Sequence, residues 1–346
     1  MPDILIIKFG AIGDVLRTTP LLRALKKHYP QARISWLTHP QSEEVLKCVP
    51  LIDALYVYSP AAINDLKNKY FDISICLDKD YEAVASVMQI PARQKEGFGL
   101  DVRGELMPLT EKSTYAVRLG IDDELKFHLN QKTYQQISFE QAGFSFSNEE
   151  YCFEIPPQES HFGEQVLNAL GILPVAFRKR PLVGLNTGSG PRFAGKKLPL
   201  ETYLHLSERL QMSGCDVLLL GGSLETERNE WIIAHASTGI YNAGTHHSII
   251  QFSTIVGECD LIITGDTLAM HIAIARQRKV LAFFASTCAQ EIELYGRGEK
   301  LISSIECGPC YLRHCSIDEK CMKEFSMDWI VERSLHWIHT DKKMIQ

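Results

Sequence analysis

The chain has 346 residues, 45% of them hydrophobic and 23% charged, with a formal net charge of −6. It is long enough for two packed domains, and its acidic balance argues against a general nucleic-acid binder, which needs a basic face. No apolar run reaches transmembrane length and no basic start leads into a signal-type stretch, so a cytoplasmic location is expected, with peripheral contact at the inner face of the cytoplasmic membrane left open.

The first element is the apolar run DILIIKF, then a loop with two glycines, GAIGD, then a helical pattern. Pro20 falls inside that pattern, so the helix should kink or restart there. Arg23, Lys26 and Lys27 form a basic stripe that reads as a solvated face or as a contact for anionic lipid. Further strands are expected at ARISWL, DALYVY and FDISICL, and in the second half at PLVGLN, CDVLLLGG, CDLIIT, KVLAFFA and EKLISSI. Near-continuous apolarity argues for parallel strands covered on both faces. Strand–helix alternation occurring twice predicts an α/β protein of two doubly wound domains. The boundary is expected between about 155 and 181, dividing the chain into 1–165 and 166–346. EIPPQES opens a helix there, and MDWIVERSLHWIHT closes the chain as another.

In such sheets ligands bind beyond the carboxyl ends of strands, so the loops there are read for chemistry. In the first, Asp14 is either a helix-start carboxylate favoured by the dipole or a general base for a sugar hydroxyl. The spacing of Gly10 and Gly13 is not the dinucleotide pattern. In the second, NTGSGPRFAGKKLP, Gly190 to Lys196 spell most of a phosphate-binding P-loop, but Lys197 replaces the Ser or Thr that magnesium requires. Lys196 then reads either as one of a solvated lysine pair or as a cation for phosphate oxygens. In the third, Glu225 and Glu227 follow GG, as a helix start or as a ribose-binding carboxylate. In the fourth, Gly265 precedes Asp266 and Thr267, where a helix start makes an anion site, with His271 one turn on. Asp78-Lys79-Asp80 resembles a metal-holding D-x-D and is discounted as a chance match; His246-His247 reads as a turn.

Six of the ten cysteines lie among apolar neighbours and are expected in cores. The other four, Cys307, Cys310, Cys315 and Cys321, are spaced C-x2-C-x4-C-x5-C. Four thiols at such spacing suit structural zinc or iron, with reduced thiols or disulfides as the alternatives.

The start ILIIKFGAIGDVLRTTPLLRALKKHYP, joined to the late GDTLAMHIAIA, resembles the lipopolysaccharide heptosyltransferases of glycosyltransferase family 9. The resemblance implies a glycosyltransferase-B arrangement of two facing Rossmann-like domains, an acceptor-side first and a donor-nucleotide second. It implies an inverting transfer of heptose, or a similar sugar, from an ADP-sugar to a lipid-linked oligosaccharide, with no cofactor required for catalysis. Asp14 matches the family's general base and Lys196 its phosphate-contacting lysine. Glu225 matches the carboxylate at the donor nucleoside, and Asp266, Thr267 and His271 the donor motif. Gly13, Thr187, Gly188, Gly265 and Leu268 complete the expected donor-binding set. Two departures stand out: Leu268 replaces the family glycine after D-T, and Leu198 replaces the tryptophan before the proline. Some relatives that glycosylate autotransporters carry an iron-binding cysteine set, so a protein acceptor is a second expectation. A non-catalytic nucleotide-sugar-binding protein and a P-loop-like kinase are further alternatives.

Overall fold

A computed structural model describes residues 1–190, 192–193, 195–237 and 239–340. Its contacts divide them into two units: Met1–Glu154 with Gln290–Glu293, and Ile155–Ala289 with Leu294 onward; the last residues of the expected second domain, 341–346, lie outside those described. The division falls at Glu154, not at 165/166. The helix Phe162–Ala169 packs on the helix Ile249–Gly257 of the second unit, and the Thr254 backbone lies against Gly163 there.

The first unit carries strands β1 (Asp3–Ile7), β2 (Arg33–Thr38), β3 (Ala54–Val57), β4 (Phe71–Cys76), β5 (Ala92–Leu100) and β6 (Leu106–Pro108). Their order is β3-β2-β1-β4-β5-β6, parallel except for β6. The second unit carries β7 (Leu182–Asn186), β8 (Asp216–Leu220), β9 (Tyr241–Asn242), β10 (Leu261–Gly265), β11 (Lys279–Phe284) and β12 (Gly298–Ile302), ordered β12-β11-β10-β7-β8-β9 and parallel throughout. Each order has the doubly wound form in which the first and fourth strands of the unit are neighbours. Connections leave in opposite directions from that pair, which opens a crevice at its carboxyl end. The crevices therefore lie beyond β1/β4 and beyond β7/β10.

The apolar runs make the sheet centres. Ile4 to Ile7 are fully buried, as are Val183, Leu185 and Leu261 to Ile263. Completely burying such a side chain contributes about 1.5–3 kcal/mol before entropy is counted. Strands β5, β6 and β9 carry no such signal. In β5, ARQKEGFGL, the buried Glu96 is satisfied by Lys112, Thr110 and Gln94 and so takes the place of an apolar residue. Pro20 opens the helix Pro20–His28 at its first position, after a separate short helix Ile12–Leu16. The closing helix spans Met327–His339, capped by Ser326.

Candidate functional site

In the first unit the loop after β1 runs Lys8-Phe9-Gly10-Ala11 into the helix Ile12–Leu16. Ala11 occupies the cap position with no side-chain cap bond, so Asp14 does not cap that helix. Its Oδ1 lies 2.8 Å from Arg17 Nη2, and the side chain keeps 31% of its exposure. Arg17 stacks on the Tyr134 ring at 4.0 Å and reaches Glu291 at 3.7 Å. Under the loop, Lys8 and Asp78 form a buried pair at 3.1 Å. Burial would lower the pKa of the Lys8 ammonium, but Tyr134, Asp78 and Asp14 around it outweigh burial and hold it far above its usual value. Burial would raise Asp78; Lys8 and the Gly10 N–H hold it below the carboxylate range.

Most of the basic stripe is spent inside the unit. Arg23 donates to the Glu150 and Tyr151 carbonyls, and Lys26 to Ala32 O and Asp53. Two of the three cations expected for a lipid surface thus have intramolecular partners. Gly13, expected among donor-binding positions, is instead a buried residue of the helical turn beside Asp14; its carbonyl accepts the Arg17 N–H at 3.0 Å.

In the second unit the loops after β7, β8, β10 and β11 meet. Lys196 Nζ lies 2.9 Å from Asp266 Oδ2 and donates to Asp266 O at 2.8 Å. Burial would raise Asp266, but Lys196, then His271, then the Thr287 hydroxyl hold it below the usual carboxylate range. Thr267 begins the helix Leu268–Ala275 without a side-chain cap bond; its hydroxyl instead lies 2.9 Å from that of Thr264. The first N–H groups of such a helix have no intrahelical acceptor and favour an anion. Leu268, half-buried, opens the helix, and His271 is buried one turn on.

Two glycines are fixed by close approach. A Cβ on Gly265 would stand 2.0 Å from the Lys196 carbonyl oxygen, and one on Gly188 2.0 Å from Glu225 Cδ. The Glu225 carboxylate therefore lies against the β7 loop, and it accepts the Gly222 N–H at 2.9 Å. Gly265→Ala should push the Lys196 strand of the loop off β10. Donor affinity is expected to fall at least tenfold in calorimetry, because a backbone atom cannot rotate away as a side chain can.

Sequence reasoning and structure part at several positions. Thr187 is fully buried, and its hydroxyl donates to Asn229 Oδ1 at 2.6 Å, so it is turned into the core and not toward a donor. Lys197 does not join Lys196; it lines a separate cavity of about 180 Å³ with Arg228 and Glu319. No P-loop helix follows Lys196, since the next helix starts at Leu200 after Pro199; Pro191 and Ala194 of that stretch lie outside the described residues. Leu198, which replaces the family's usual tryptophan, is buried in the core with Tyr203. The sequence reading missed Asn186, whose amide donates to Gly188 O and Thr264 and reaches Thr267. It also missed Ser286, which donates to Gly195 O at 3.3 Å, and Thr287. The usable signal was their position, at the last residue of β7 and two to three residues past β11.

Cys307, Cys310, Cys315 and Cys321 line one cavity of about 20 Å³ with Ser286 and Ile305. Burial pushes the Cys321 thiol up to about 11, helped by its neighbours Cys315, Cys307 and Cys310. All four are free thiols. Among the described residues, however, no three His, Cys, Asp or Glu side chains are gathered closely enough to hold a metal ion. The thiols share a cavity without forming a ready ligand set. The six other cysteines are buried, as expected.

With these loops in place, the comparison with known families is decisive. The profile described as glycosyltransferase family 9 (heptosyltransferase) matches residues 61–321. The chain belongs to glycosyltransferase family 9. The matched span includes Lys196, Glu225, Asp266, His271 and the four clustered cysteines, and begins after Asp14. The transferase is 21% identical over 291 residues to the lipopolysaccharide core heptosyltransferase OpsX of Haemophilus influenzae, covering 81% of this chain and 78% of that one. A shorter stretch of 96 residues is 31% identical to lipopolysaccharide heptosyltransferase 3 of Escherichia coli, covering 24% of this chain and 28% of that protein. The solved structure of E. coli ADP-heptose lps heptosyltransferase II superposes with a TM-score of 0.71 at 18% identity, covering 97% of this chain and 98% of that one. At that identity the likeness establishes the fold, the glycosyltransferase-B type with two Rossmann-like units. No helix among the described residues is long and apolar enough to cross a membrane.

Proposed function

We propose that this glycosyltransferase moves a heptose, or a similar sugar, from an ADP-sugar to a lipopolysaccharide core acceptor by direct displacement. The acceptor hydroxyl gives its proton to the Asp14 carboxylate as its oxygen attacks the anomeric carbon. The bond to the diphosphate breaks on the opposite face, so configuration inverts. Lys196 and the first N–H groups of Leu268–Ala275 neutralise the charge that grows on the departing diphosphate. Glu225 accepts hydrogen bonds from the nucleoside ribose. No step requires a metal ion, and the reaction takes place at the cytoplasmic face of the inner membrane.

The observation that carries this reading is the Lys196–Asp266 pair at the mouth of an uncapped helix, beyond the strand pair where the second sheet reverses direction. A lysine there is held by one carboxylate and stands ready to meet a second anion. Two relatives named as lipopolysaccharide heptosyltransferases support the heptose and the lipopolysaccharide acceptor, and the name of the solved ADP-heptose lps heptosyltransferase II supports the ADP-linked donor. Calorimetry with ADP-heptose, GDP-sugars and UDP-sugars tests it. ADP-heptose is expected to bind at least tenfold tighter than the others; equal or tighter binding of a UDP-sugar would overturn the donor assignment.

For the cysteine cluster we propose a structural zinc or iron ion that the four thiolates would hold by closing on it, since Zn–S bonds of about 2.3 Å need shorter separations. Elemental analysis of anaerobically purified protein should then find about one equivalent per chain, and a metal-free protein of full activity and stability would end that assignment.

A further inference from the structure

The Asp78-Lys79-Asp80 run looks like a metal motif, but the structure gives Asp78 a different task. Its Oδ2 accepts three donors at once: the Gly10 N–H at 2.7 Å, the Phe9 N–H at 3.0 Å and Lys8 Nζ at 3.1 Å. Its Oδ1 accepts the Asp80 N–H at 3.3 Å, so both carboxylate oxygens are engaged by the protein's own donors. Lys8 Nζ donates also to Leu77 O at 3.1 Å, and both side chains are only 7% exposed.

We infer that Asp78 and Lys8 are positioning residues for the transfer: the buried pair fixes the Phe9–Gly10 backbone and thereby sets where the Asp14 carboxylate stands and which charge stands beside it. The inference rests on the reading of Asp14 as the base. A carboxylate that accepts two successive backbone N–H groups fixes the peptide between them in orientation as well as position. That peptide lies on the short connection to Asp14. Gly10 shows how tight the arrangement is. A Cβ built on it would stand 3.1 Å from Asp14 Cβ, 3.4 Å from Asp14 Oδ2 and 3.3 Å from Lys8 Nζ. The lysine and the aspartate thus border the same point.

Stability alone does not account for the pair. Removing two buried charges in favour of apolar groups is often neutral or stabilising, because desolvation offsets their attraction. A buried pair that bonds consecutive loop amides instead specifies a conformation. Several other groups of this unit lie around Asp14. Arg17 pairs with it from its own helix, Tyr134 and Glu291 face Arg17, and Tyr151 lies nearby. Lys8 also ties the loop to the residues just past β4.

The test compares kcat, its pH profile and ADP binding for Lys8→Met, Asp78→Asn and the double variant Lys8→Met/Asp78→Asn. Each should lose at least tenfold in kcat while ADP affinity, a property of the second unit, stays within twofold. In Lys8→Met the acidic limb of the pH profile should also move up by about one unit, since a carboxylate that loses a neighbouring cation binds its proton more tightly. A kcat within twofold of the parent, or a slower enzyme whose acidic limb has not moved, would overturn the inference. If Asp78→Asn strands a buried ammonium and fails to fold, the double variant carries the test. If that fails too, Gly10→Ala keeps the pair and wedges a methyl group between Asp14 and Lys8; full kcat in that variant would also overturn it. Asp14→Asn run alongside separates the two readings. Retained activity there refutes the base itself, whereas a dead Asp14→Asn with normal pair variants refutes only the positioning role.

Discussion

Asp14→Asn is expected to lower kcat by about two to four orders of magnitude, the usual contribution of a positioned general base. The amide keeps the shape and can still accept from Arg17, so the helix Ile12–Leu16 should form as before. What is lost is the capacity to take a proton from the acceptor hydroxyl. With donor binding assigned to loops of the second unit, ADP affinity is expected to change by less than twofold in calorimetry. Steady-state kinetics with an ADP-heptose donor give the decisive comparison. A variant that turns over near the parent rate would remove Asp14 from the chemistry and leave it as a surface partner of Arg17.

Lys196→Met should act differently. The ammonium is held 2.9 Å from Asp266 Oδ2 within a largely buried cluster. Removing one preorganised charge aimed at a developing anion costs about two to three orders of magnitude in kcat. Here the loss should be joined by weaker donor binding, because the ground-state diphosphate already carries charge. The Asp266 carboxylate would also lose its main counter-charge, with His271 and Thr287 left beside it. Repelled by that carboxylate, ADP is expected to bind at least tenfold more weakly. Asp266→Asn in the same background should recover part of the ADP affinity, which calorimetry of the single and double variants would reveal. An unchanged affinity in Lys196→Met would place the diphosphate elsewhere.

Much of this arrangement is legible in the chain. The buried central strands announce themselves because parallel strands covered on both sides must be apolar throughout, as Ile4–Ile7 and Leu261–Ile263 are. The edges do not: β5 hides a buried carboxylate, Glu96, whose partners Thr110 and Lys112 come from outside the strand. Asp14, Lys196, Glu225 and Asp266 were visible as polar residues after strands. Their partners were not: the Asp266–Thr287 pairing depends on β10 and β11 being sheet neighbours, and Glu291 reaches Arg17 from far along the chain. Thr187 shows the converse error. It sits in the right loop, yet Asn229 draws its hydroxyl into the core. Asp78 was read as half of a chance motif, and the two amides it holds come from a loop that only the pairing of β1 with β4 brings beside it.

The cysteine cavity reaches further than its own loop. Gly195 lies so near Cys321 that a Cβ on the glycine would be 3.2 Å from the sulfur, and Ser286 ties the same residue's carbonyl. The next residue is Lys196. Chemistry that moves the Cys321 sulfur is therefore expected to press on the backbone next to the lysine. With Lys196 as the proposed diphosphate contact, preparations with reduced and with oxidised thiols are expected to differ in nucleotide affinity.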